Sequence, residues 1–94
     1  MTLHTPGPWI KKYDTHVYAG RQLIAICEGT ENRNEAYANA RLIAASPDLL
    51  NALRDLESAV SHYFREFEHL HPSINNPLQA ARKVLSVADP VGDN

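Results

Sequence analysis

A chain of 94 residues has room for one domain, 1–94. Nine Lys and Arg against eleven Asp and Glu leave a formal charge of −2, which gives no basic field and argues against general nucleic-acid binding. A single cysteine, Cys27, excludes an internal disulfide and a cysteine-cage zinc site, and no apolar run approaches the ~20 residues of a membrane span.

The first residues carry neither a basic segment nor an apolar signal core, so a soluble, cytoplasmic protein is expected. Thr5-Pro-Gly-Pro-Trp9 then reads as a rigid turn, because two prolines around a glycine suit neither a helix nor a central strand. Trp9 is delivered either as the lid of a small core or as an aromatic wall for a base or sugar. Three short strands follow, at Trp9 to Tyr13, His16 to Ala19 and Gln22 to Cys27. Asp14-Thr15 and Gly20-Arg21 supply tight turns, so the strands pair antiparallel as a meander over 1–29. Both faces of the third strand are apolar, which marks it as the most buried.

Residues 30–88 read as helical. A first helix is predicted over Asn34 to Ala45, capped by Thr30, Asn32 or Asn34. Ala36, Ala40, Ile43 and Ala44 share one face and turn it to the sheet, while Tyr37 and Arg41 share another stripe four residues apart. Ser46 caps a new helix and Pro47 occupies its first position. That second helix runs to about His69. Leu49, Leu53, Leu56, Val60, Tyr63, Phe67 and Leu70 form a heptad-like seam along it. Pro72, Ser73 and the Asn75-Asn76-Pro77 cluster end it and start a third helix, Pro77 to about Ala88, long enough to cover only half of the seam. The uncovered part calls for another subunit, so a homo-oligomer, dimer or hexamer, is expected. Residues 89–94 form a frayed tail. The fold class is α+β: a three-stranded antiparallel meander followed by two or three helices, the long second one oligomerising.

No catalytic constellation emerges. A nucleophile elbow and a glycine-rich phosphate loop are both missing, so no enzyme activity, catalytic residue or cofactor is expected. His62, Glu66 and His69 share one helical stripe but lack metalloprotease spacing, and they read as a solvated face with no metal. A binding site is easier to build. Arg41 is the one charge in the apolar run from Ala40 to Ala45, and an arginine fork suits phosphate. It serves either as an anion anchor or as a structural cation for carbonyls or Asp48. Trp9, Tyr37, Tyr63 and Phe64 offer faces for bases. Asn75, Asn76, Arg82 and Lys83 complete the candidate set. Asn75 or Asn76 would bring free backbone N–H groups at a helix N-terminus.

Thr5-Pro-Gly-Pro-Trp9 and Asn39-Ala-Arg-Leu-Ile-Ala-Ala-Ser-Pro-Asp-Leu-Leu50 resemble the motifs of a family of small phage and prophage proteins. The layout is similar to that of the Thoeris anti-defence sponge proteins, which bind and hide cyclic ADP-ribose-type or cyclic oligonucleotide immune signals without cleaving them. The resemblance implies a small anionic nucleotide as ligand, bound at subunit interfaces in the host cytoplasm. It implies that Trp9 stacks on an adenine, Arg41 meets the pyrophosphate, and Asn75 or Asn76 contacts a ribose. From residue pattern alone, a second role is open: a protein–protein module that docks through the Leu49-to-Leu70 seam.

Overall fold

The computed structural model describes residues 4–28, 32–64 and 71–88. Three strands, β1 (Ile10–Lys12), β2 (His16–Ala19) and β3 (Gln22–Ile26), are followed by three helices, α1 (Arg33–Ala44), α2 (Ser46–Phe64) and α3 (Pro72–Ala88). The fold is therefore α+β, with an antiparallel sheet in the order β1-β2-β3. Thr5–Leu49 forms one compact unit, and the chain from Leu50 onward forms another.

In the first unit, the two hairpins are set by local chemistry. Gly20 takes φ +61° at the first position of the β2–β3 turn, the conformation that favours glycine there. The β1–β2 turn begins one residue earlier than expected. Tyr13 and Asp14 both have positive φ, 55° and 63°, so Tyr13 belongs to the turn and not to the strand. The Thr15 amide donates to the Tyr13 carbonyl at 2.7 Å, and a Lys11–Asp14 ion pair at 3.7 Å spans the bend.

Val17 in β2 is fully buried, opposite Lys11 on β1 and Ala25 on β3. α1 lies across all three strands and turns buried Ala36 and Ala40 toward the sheet. Alanines there let the helix backbone approach closely, and burial of Val17 contributes about 1.5–3 kcal/mol. The expectation that β3 is the most buried strand fails. A meander puts its middle strand at the centre, and β3 is an edge with Leu23 and Ile26 45% and 43% exposed. A bulge at Val17/Tyr18, where Tyr18 pairs with Leu23 and Val17 with Ala25, also breaks the strict alternation of β3.

Asn32 is the N-cap of α1, its side-chain oxygen accepting the Asn34 amide at 2.9 Å. The alternative cap Thr30 lies outside the described residues. At the other end Ala45 stays helical in backbone, with φ −80° and ψ −8°. Ser46 is not an N-cap: it is the first residue of α2, and its hydroxyl donates back to the Leu42 carbonyl at 3.1 Å. The break comes from Pro47, whose ring has no N–H to continue the ladder.

Buried Pro47 also receives the opening turn. A Cβ built on Gly7 would lie 3.1 Å from Pro47 Cβ, so the Thr5-to-Trp9 turn meets the helix break at a contact that admits a methyl only if Pro47 gives by a few tenths of an ångström. The Gly7–Pro8 peptide is cis. Gly7→Ala is expected to destabilise this unit by about 1–3 kcal/mol through overpacking, because the Pro47 ring cannot rotate away. Thermal melting of the variant checks this.

In the second unit, α3 starts five residues before its expected beginning, and Pro77 lies inside it. His71 provides the start. Its carbonyl accepts the Ile74 and Asn75 amides, both at 2.9 Å, and its ring Nδ1 accepts the Ser73 amide at 3.1 Å. Pro72 opens the helix where an N–H is not needed. At 17 residues α3 is about 26 Å long, close to the ~28 Å of α2 as described. The seam positions Phe67 and Leu70, the expected end of α2 near His69 and the tail 89–94 lie outside the described residues.

Candidate functional site

The proposed ligand-binding residues fall into two groups, one in each unit. In the first unit, Trp9 is half-buried and its indole Nε1–H donates to the Thr5 carbonyl at 3.1 Å. The bond locks the ring to the opening turn, while a partly accessible edge remains. Tyr37 is half-buried on α1, and Arg41 one turn later is exposed. The Arg41 guanidinium makes no ion pair or side-chain hydrogen bond with any described residue, Asp48 included. Its aliphatic stem leaves the apolar face of α1 and its charge reaches water, as a long cation beside a small core must.

In the second unit, Tyr63 and Phe64 pack edge to face at 4.9 Å, with Tyr63 76% exposed. Asn75 and Asn76 are not at the N-terminus of α3 but in its fourth and fifth positions. The Asn75 amide is bonded to the His71 carbonyl, so it is not free to meet an anion, and its side-chain oxygen accepts from Gln79 at 3.4 Å. Arg82 is already engaged: Nε donates to Glu57 Oε1 at 2.9 Å and Nη2 donates to Ser61 Oγ at 2.8 Å. Ser61 in turn donates to Glu57 at 2.8 Å, closing a three-residue network between α2 and α3. Lys83 is exposed beside it. Of the histidine stripe only His62 is described; Glu66 and His69 lie outside the described residues.

The Arg82 hydrogen bond, and next the Ser61 hydroxyl, hold the Glu57 carboxyl below the usual carboxylate range, partly offset by burial. A carboxylate favoured in the folded state stabilises it above the ordinary carboxylate pKa. That contribution is lost as pH falls through the lowered folded value. Melting temperature is therefore expected to drop across the acidic range, and Glu57→Gln is expected to flatten this part of the pH profile. Because the pair is partly exposed, the effect at neutral pH is modest.

Sequence reasoning passed over one cluster. On the sheet face away from α1, His16 and Tyr18 present parallel rings 6.3 Å apart, at an interplanar angle of 10°. Tyr13 stands at right angles to both, 5.7 Å from His16 and 6.5 Å from Tyr18, and is 77% exposed. The Lys12 ammonium sits 5.5 Å from the Tyr18 ring centroid, and Thr15 Oγ1 is 3.0 Å from His16 Nδ1. Two-residue spacing on β2 already put His16 and Tyr18 on one face. Tyr13 joins them only because of its left-handed backbone, which no spacing rule reveals. Its β-region alternative would be cheaper, and such strain in an exposed aromatic often accompanies function. This patch combines aromatic faces with a cation, the chemistry that holds a base and a phosphate.

The family model for Salmonella phage P22 protein Y8K6 matches residues 1–92, and the chain belongs to that phage protein family. No match was found among curated proteins or among solved structures. No described helix is long and apolar enough to cross a membrane.

Proposed function

We propose, with membership of a phage protein family as the premise, that the protein binds and sequesters a small anionic nucleotide without turning it over. The ligand class is a cyclic ADP-ribose-type or cyclic oligonucleotide immune signal, and the role is anti-defence in the host cytoplasm. The observation that carries this reading is Arg41, an exposed guanidinium with no partner among the described residues, one helical turn from Tyr37. A planar fork left free beside an aromatic is suited to a phosphate attached to a base. Trp9 and the Tyr13-His16-Tyr18 patch supply further stacking faces in the same unit. Tyr63, Phe64, Asn75, Asn76 and Arg82 enter the reading where copies of the chain meet in a homo-oligomer, and Arg82 does so only by leaving Glu57. Calorimetry with cyclic dinucleotides, cyclic trinucleotides and cyclic ADP-ribose isomers tests the reading. Saturable heat with one of them supports it, and silence from folded protein across the panel defeats it.

A second reading rests on a different observation. Leu49, Leu56 and Tyr63 recur every seven residues along α2 and are 52%, 62% and 76% exposed. Such a stripe suits docking into a groove of a host or phage protein, which the chain would inhibit. A stoichiometric partner recovered by wild type and by Arg41→Ala, but lost with Leu56→Asp, favours this role.

A further inference from the structure

The turn between β1 and β2 holds a bulky ring in a backbone conformation that suits other residues better. Tyr13 has φ 55° and is 77% exposed, so burial of its ring does little to offset the left-handed backbone. Asp14, at φ 63°, belongs to the residue types that tolerate this region, and an asparagine at position 13 would do so too. The Tyr13 ring is nevertheless held in place. It stands at right angles to His16 and Tyr18, and the three centroids form a nearly equilateral triangle with sides of 5.7, 6.3 and 6.5 Å. Separations of that size are direct aromatic contacts, which leave no room at the centre for a quaternary ammonium group. The cluster is therefore not a cation cage. What it offers is the open outer surface of Tyr13.

The charge beside that surface is positive and uncompensated. The Lys12 ammonium lies 5.5 Å from the Tyr18 centroid and makes no ion pair with any described residue. Asp14, two residues on, is taken by Lys11. Ile10 on β1 and Leu23 on β3, both paired with Tyr18, are 51% and 45% exposed and extend the face with apolar surface. We infer that this outer face of the sheet is a second binding site, which takes the base of a nucleoside monophosphate on Tyr13 and its phosphate on Lys12. A flat π system and a negative charge, one sugar apart, match a ring and an ammonium on adjacent residues. The same ammonium repels the cations that aromatic clusters otherwise attract. α1 packs on the opposite face of the sheet, so the site needs nothing from Arg41 and goes beyond the sequestering reading.

NMR titration of the full chain reads the site directly. Adenosine 5′-monophosphate is expected to shift the Tyr13, His16 and Tyr18 ring signals along a saturating curve. Adenosine should bind more weakly, and inorganic phosphate should leave the rings unmoved. Tyr13→Asn is expected to weaken binding of the monophosphate about 10-fold, through loss of one stacking face. Its melting temperature should be unchanged or higher, because asparagine takes this φ more readily. That combination separates binding from packing, since removing a ring that only packs lowers the melting temperature. Lys12→Ala is expected to erase the preference for the monophosphate over adenosine. Shifts that do not saturate, equal binding of the two by wild type, or unchanged binding by Tyr13→Asn overturns the proposal. So does a Tyr13→Asn variant that melts several degrees lower or fails to fold, because the ring is then structural. A single-stranded oligonucleotide or phosphotyrosine peptide that moves these rings where the monophosphate does not also overturns it. The readout lies across the sheet from α1, so its failure leaves the Arg41 site to be decided by the cyclic-nucleotide calorimetry.

Discussion

Val17→Asp is expected to unfold the Thr5–Leu49 unit. Val17 is completely buried in the middle strand, with Ala36 and Ala40 of α1 facing the sheet. A carboxylate there has no cationic partner on its own element, and Lys11 opposite is already paired with Asp14. An unpaired charge or an unsatisfied acid in such a site costs several kcal/mol. Small domains carry about 0.05–0.15 kcal/mol of stability per residue, so a unit of this size has little more than that to lose. Ile10→Asp is the contrast. Ile10 is 51% exposed on the opposite face, and its replacement is expected to cost less than about 1 kcal/mol. Circular dichroism melts of the two variants separate these outcomes. Equal effects would mean that the core does not lie between α1 and the sheet.

The second large effect concerns binding. Arg41→Ala is expected to weaken nucleotide binding by about 10–100-fold, the loss of one or two charge-assisted hydrogen bonds to phosphate. The melting temperature of the ligand-free protein should stay within a few degrees, because the side chain has no described partner to lose. Arg41→Lys is expected to recover only part of the affinity, since an ammonium lacks the planar fork. If Arg41→Ala instead collapses the fold, the guanidinium is structural. If affinity is unchanged while a ligand still binds, the anchor lies elsewhere, and the Lys12-Tyr18 patch becomes the first place to look.

Much of the architecture was legible because short-range chemistry decides it. Gly20-Arg21 predicted a tight hairpin, and the spacing of Ala36, Ala40, Ile43 and Ala44 predicted the face that α1 turns to the sheet. What failed was information that resides in topology or in competing caps. The apolar composition of Leu23 to Cys27 suggested a buried strand, but composition does not say whether a strand is central or at an edge. Pro77 read as a helix start, yet His71 and Pro72 initiate α3 earlier, and that shift takes the Asn75 amide away from any ligand. The shortness of α3, from which self-association was expected, is also gone, since α3 has 17 residues against 19 in α2 as described.

The site was legible in the same uneven way. A lone arginine within an apolar run stood out at once, and the structure leaves its guanidinium in water. Arg82 was a candidate on pattern alone, and its partners, Glu57 and Ser61, are 25 and 21 residues away, where no local pattern pairs them. The Tyr13-His16-Tyr18 patch escaped notice because His16 and Tyr18 read as ordinary strand residues. The turn that brings Tyr13 to them depends on a rare backbone conformation. The two quoted motifs proved to be one structural feature: Gly7 of the opening turn sits against Pro47 of the helix break. That contact explains their pairing through packing, whether or not a ligand is bound.

The most direct measurement is heat release of a small molecule from protein purified out of cells that make cyclic ADP-ribose-type or cyclic oligonucleotide signals. Chromatography and mass detection of the released fraction identify it. A nucleotide released in near-stoichiometric amount from wild type, unmodified and strongly reduced with Arg41→Ala, is the expected result. Folded protein that releases no nucleotide, or only hydrolysed fragments of one, contradicts sequestration without turnover.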